Sequence, residues 1–159
     1  MPIDLLSKTP IPNKLPEQMR ETINELKTSL GKEDCLRRAY EILIAKYRSQ
    51  RIKTYTKLFN VFSNDIDKMW SQTGFLHCTN MNYLMRTLLI KSGFFNDSDI
   101  ALKWTMVWYI SPHQYIQVNM GMSPNALLSR NSQNNKKINI DIWGKSYGIK
   151  FGDYARGFH

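Results

Sequence analysis

"FLHCTNMNYLMRTLLIKSG", residues 75–93, carries one of the chain's two cysteines, and its reading decides the fold. Thr79 and Asn80 near its start are helix-opening residues, and Gly93 is a natural helix stop. Between them Tyr83, Leu84 and Leu88 supply a buried face. The stretch is therefore predicted as an amphipathic helix over 78–92, with Cys78 in its first turn. A sulfur there meets unpaired backbone N–H groups, so Cys78 is either a nucleophile or core filler. A nucleophile needs a base and an orienting acid, which the rest of the chain must bring to that helix end.

Upstream the pattern is helical. Residues 1–15, with Pro2, Pro10 and Pro12, read as an extended Pro-rich arm, a packed or frayed tail or a docking peptide; residues 16–159 read as a single domain. Pro16 suits the first helical position, and Met19, Ile23, Leu26 and Leu30 recur at helical spacing before Gly31. A second helix opens on acidic Glu33 and Asp34; it sets Leu36, Ala39, Leu43 and Tyr47 on one face and places Cys35 in the core. Thr54 to Gln72 is helical again, with a break near "FSND", where Ser63 or Asn64 caps a second piece that Gly74 ends.

After residue 100 the texture changes. "LKWTMVWYI", "HQYIQVNM" and "KINIDIWG" alternate like the strands of an antiparallel sheet, so the fold class is α+β. The polar connection at 121–136 is long for a hairpin and reads as a lid or a mobile loop.

Period-2 reading puts His113, Tyr115 and Gln117 on one face of the second strand, and Asn139, Asp141 and Trp143 on one face of the third. His113 and Asp141 can then share a face on neighbouring strands, with the carboxylate holding Nδ1 and leaving Nε2 for Cys78. An ordinary thiol is mostly protonated at neutral pH; a helix N-terminus and an adjacent imidazolium both favour the thiolate. A tetrahedral oxyanion has a donor in the Cys78 backbone N–H, with Gln72 or the Trp70 indole as a second, and Tyr115 and Trp143 are candidates to line the cleft.

With a cysteine opening a helix ("HCTNMNYLMRTLLIKSG"), a histidine opening a strand ("HQYIQV") and an aspartate on the next ("NIDIW"), the chain resembles the transglutaminase-like cysteine superfamily within the wider papain-like group. The resemblance spans residues 35–143. It implies a cysteine-bearing helix packed on a small antiparallel sheet, a Cys78, His113, Asp141 triad, and acyl chemistry on amide or peptide bonds of a peptide or protein. Members of the group range from crosslinking to hydrolysis to deamidation. Glycine often precedes the family's cysteine, where this chain has Leu76 and His77, and proline often follows its aspartate, where this chain has Ile142.

Bulk properties set the other expectations. At 159 residues one domain with a real core is expected. Cys35 and Cys78 show neither CxxC nor Cys/His ligand spacing, which points to a reducing, cytoplasmic setting and to no metal or cofactor. No apolar run is long enough to span a bilayer. The net charge of +9 fits solubility or an acidic partner. "AKYRSQRIKTYTKLF" mixes Lys46, Arg48, Arg51, Lys53 and Lys57 with Tyr47, Tyr55 and Phe59, the ingredients of a basic nucleic-acid-binding module, which is the alternative to an enzyme, beside a catalytically silent scaffold of the same fold. His77 is expected at the surface or in a cap. The tail "GKSYGIKFGDYARGFH" is expected beside the sheet or lining the cleft, where Lys150, Arg156 and His159 can meet an acidic substrate.

Overall fold

The computed structural model describes residues 3–5, 7–56, 65–108, 111–122 and 135–157. The architecture is α+β. Helices α1 (Glu17–Leu26), α2 (Lys32–Lys46), α3 (Arg51–Thr56), α4 (Ile66–Ser71) and α5 (Cys78–Lys91) accompany a three-stranded antiparallel sheet of β3 (Ile100–Val107), β4 (Ser111–Met122) and β5 (Asn135–Ile140), in the order β3-β4-β5. Two short strands, β1 (Tyr47–Arg48) and β2 (Gly74–Phe75), form a separate parallel pair.

Helix α5 is the centre of the core. Every residue from Thr79 to Leu89 is buried, because α2 and α1 pack on one side of the helix and β4 on another. Leu36, Ala39 and Leu43 of α2 and Ile116, Val118 and Ile140 of the sheet close that core, and Cys35 is fully buried there as expected.

The helical spacing overran the first helix. α1 ends at Leu26, and Leu30 is 98% exposed rather than on the buried face. Thr28 Oγ1 donates to the Glu25 carbonyl, Ser29 N to the Leu26 carbonyl, and Leu30 N to the Asp34 carboxylate, so 27–31 is a turn that opens α2. The stretch 54–72 divides into α3 and α4, and the cap of α4 is Asp65, whose carboxylate accepts from Lys68 N at 3.0 Å. Ser63 and Asn64 lie outside the described residues. α4 stops at Ser71, short of Gly74, which instead opens β2 at φ 93°.

The sheet holds the expected faces. Ile116 pairs with Ile140 and Gln117 with Asn139, and the Gln117 side chain donates to Asn139 Oδ1 at 3.0 Å. β5 ends at Ile140, however, so Asp141 stands just past the strand, where the chain turns into the 3-10 turn Gly144–Tyr147. β4 runs to Met122 and β5 starts at Asn135, and most of the anticipated 121–136 loop lies outside the described residues.

The arm is packed rather than frayed. Ile3 and Asp4 are each 1% exposed, and Asp4 closes a small loop by accepting from Thr9 N at 2.6 Å and donating to Thr9 Oγ1 at 2.9 Å. Among the described residues no helix is long and apolar enough to cross a membrane.

Candidate active site

Cys78 is the first residue of α5 and is half-buried, as a thiol at a helix N-terminus must be to meet both the backbone N–H groups and an incoming molecule. Its neighbour His77 is the N-cap; it is buried, not at the surface, and its ring meets Phe75 edge-on at 4.9 Å.

His113 enters from β4, 2% exposed. Its Nε2 stands 2.8 Å from Asp141 Oδ2, and the Cys78 side chain acts on the ring electrostatically, favouring its protonated form. The ring is therefore turned relative to the expectation: Nε2, not Nδ1, is held by the carboxylate. The reason is where Asp141 lies. By continuation of the β4–β5 register, it sits across from Tyr115 rather than from His113, so the carboxylate reaches the far nitrogen of the imidazole. Burial on its own lowers the histidine's basicity, but the Asp141 hydrogen bond, the neighbouring Cys78 side chain and the charges of both outweigh it and push the pKa up to about 10.

Asp141 is 3% exposed and fully engaged. Oδ1 accepts from Gly144 N at 2.7 Å; Oδ2 accepts from Ala155 N at 2.8 Å as well as from His113. A carboxylate so supplied with donors is held in one rotamer. Gly144 is glycine for a steric reason, since a Cβ there would stand 2.6 Å from Asp141 Oδ2 and 2.7 Å from Cγ. Behind the carboxylate is Tyr40, whose phenol is pushed up to about 12 by burial, with the Asp141 charge adding to it.

Of the cleft candidates, two adjoin the pair. Trp143 lies over the His113 ring at 4.6 Å between centroids and packs in turn on Tyr147 and Trp108. Tyr115 stacks on Tyr154 at 4.2 Å and an interplanar angle of 7°, so the tail does lie beside the sheet and supports the site. Gln72 and Trp70 occupy the end of α4, which packs on the start of α5 through Met69 Sδ and Asn80 Nδ2 at 3.2 Å; Trp70 is buried under Lys46 Nζ at 4.4 Å from its ring. Lys150 and Arg156 are exposed, Arg156 standing over the Tyr154 ring, and His159 is outside the described residues.

Sequence reasoning missed a polar stripe on α5. Cys78, Asn82 and Arg86 recur every four residues and share one face. Asn82 Nδ2 donates to the Gln114 carbonyl at 2.9 Å and to its Oε1 at 3.2 Å; Gln114 Nε2 donates to the Asp4 carbonyl at 2.6 Å. Arg86 meets both Asp4 carboxylate oxygens at 2.6 Å and Asp97 Oδ1 at 2.9 Å. The available signal was Cys78, Asn82 and Arg86 recurring at i, i+4, i+8 on a helix whose residues from Thr79 to Leu89 are all buried.

The basic run is partly spent internally. Tyr47 is buried with its hydroxyl donating to the Met69 carbonyl, and Lys46 covers Trp70. Arg48 and Tyr55 are exposed, while Lys57 and Phe59 lie outside the described residues. Among the described residues no group of three or more His, Cys, Asp or Glu side chains is placed to hold a metal ion. Comparisons with protein-family models, curated proteins and solved structures find no match to this chain.

Proposed function

We propose that the protein is a transglutaminase-like, cysteine-dependent acyl hydrolase or acyltransferase acting on amide or peptide bonds. The observation that carries this reading is the buried Asp141–His113 pair, 2.8 Å apart, on whose ring the side chain of Cys78, at a helix N-terminus, acts electrostatically to favour the protonated form. With His113 holding the proton as an imidazolium, Cys78 Sγ attacks the carbonyl carbon as the thiolate. The carbon–oxygen π pair moves to oxygen, where the Cys78 backbone N–H is a candidate donor. Collapse expels the amine, which takes the proton from His113 and leaves a thioester. Water or a second amine, deprotonated by His113, attacks the thioester and releases Cys78. Asp141 orients the ring and offsets the imidazolium charge that forms in each half.

The two cysteines are internal controls for the test. Burial pushes the Cys35 thiol up, although the Ser92 hydroxyl 3.3 Å away opposes it, so Cys35 is expected to be inert. With iodoacetamide at pH 6, timed labelling read by mass spectrometry is expected to modify Cys78 at least ~10-fold faster than Cys35, and His113→Ala is expected to remove most of that advantage. Equal rates for Cys78 in parent and variant would overturn the reading.

A further inference from the structure

The apolar contacts between α5 and β4 do not by themselves say where along the strand the helix stops. Hydrophobic contact is non-directional, whereas hydrogen bonds fix position and angle. A slip of one helical turn moves a residue by about 5.4 Å, enough to carry a thiol out of reach of an imidazole. Three polar residues on one face of α5 each act on a different group: Cys78 acts electrostatically on His113, Asn82 is hydrogen-bonded to Gln114, and Arg86 is paired with Asp4 and Asp97. Asn82 is one turn from Cys78, and Gln114 directly follows His113, so the amide pair lies one step from the reacting pair on both elements. Asn82 is 2% exposed and Gln114 0%, leaving water no access to substitute for a lost partner.

We infer that Asn82 and Gln114 are positioning residues, which lock the register of α5 on β4 so that Cys78 meets His113, with the amino-terminal arm completing the lock through Asp4. This rests on the proposed Cys78–His113 chemistry. The arm belongs to the device because Gln114 Nε2 has the Asp4 carbonyl as its acceptor, and the Asp4 carboxylate in turn neutralises Arg86 at the third position of the stripe. The buried hydrogen bonds from Asn82 to Gln114 and from Gln114 to Asp4 select one arrangement among those that apolar packing alone permits.

The test replaces both side-chain amides together by apolar side chains of similar size, Asn82→Leu with Gln114→Met, which removes the Asn82 Nδ2–Gln114 Oε1 contact from both ends and takes the donors away from the Gln114 and Asp4 carbonyls. The readouts are thermal unfolding and the pH profile of Cys78 labelling by iodoacetamide, with Cys35 as reference. The expected result is a folded protein whose Cys78 labelling at pH 6 falls ~10-fold or more, its profile moving toward that of an ordinary thiol. Asn82→Ser, which keeps a hydroxyl donor on the helix, is expected to fold and to fall between the parent and the double variant. A folded double variant with the parental profile would overturn the inference. Should the double variant not fold, parental labelling in Asn82→Ser overturns it equally. If the parent has no acid-range reactivity at Cys78, the function reading fails and the register role fails with it; parental reactivity kept in the variants removes the register role alone.

Discussion

At the scale of the residue, Asp141 is the most constrained side chain of the site. From the sequence alone Asp141→Asn reads as a change of histidine tautomer with little effect on folding. The structure revises this, because the carboxylate accepts from Gly144 N, Ala155 N and His113 Nε2. An amide offers one oxygen to three donors and turns its own NH2 toward one of them. Asp141→Asn is therefore expected both to suppress Cys78 labelling and to lower stability by about 1–3 kcal/mol, the cost of a buried donor left unmatched, as measured by urea unfolding. His113 supplies a pH prediction. Its folded pKa, about 10, lies above the ordinary 6.5, so the folded protein holds the proton more tightly than the unfolded chain. Its contribution is fully present below pH ~6.5 and is lost as pH rises through ~10. Melting temperature is thus expected to decline across that window, and His113→Gln to flatten the decline; an identical slope in the variant contradicts the assignment.

At the scale of the element, the boundaries of the helices were set by side chains that compete for backbone groups. Met19, Ile23 and Leu26 are buried at the spacing that announced them, yet Leu30, next in the same series, stands in solvent. Thr28 Oγ1 takes a helix carbonyl and Asp34 takes the Leu30 N–H, and these local bonds end the helix before the apolar series ends. Leu30→Ser is accordingly expected to change the unfolding free energy by no more than about 0.5 kcal/mol, in line with ordinary surface substitutions. A loss of core-like size would show that Leu30 is covered in solution. The end of β5 has more consequence for the site. Because the strand stops at Ile140, Asp141 can bend back to receive Gly144 and Ala155 while still reaching His113.

At the scale of the whole molecule, the amino-terminal arm and the centre of the core are tied by charge. Arg86 is 1% exposed in the middle of α5, and a cation so placed requires a partner. Asp4, 82 residues away in the chain, supplies it with both oxygens at 2.6 Å, and Asp97 adds a contact from the surface side at 2.9 Å. Breaking one side of a buried pair costs about 3–5 kcal/mol, so Asp4→Ala is expected to cost about that much in urea unfolding, less whatever Asp97 recovers. Loss of only a few tenths would mean that the arm leaves its seat freely.

Periodicity and local chemistry determined a large part of this protein in advance: the α+β class, Cys78 at the head of a central helix, His113 and Gln117 on one face of β4, and Asn139 on the matching face of β5. These are local consequences of a 3.6- or 2-residue repeat and of which residues open and close it. Three matters were decided only in three dimensions: which imidazole nitrogen Asp141 holds, the seating of the arm on Arg86, and the Asn82–Gln114 contact beside the cysteine. Each joins residues far apart in the chain through a hydrogen bond or ion pair whose geometry depends on where a strand ends or how a helix is registered on a sheet. No pattern within a single segment encodes that, because hydrophobic spacing states which face is buried and not what polar group waits on the other side.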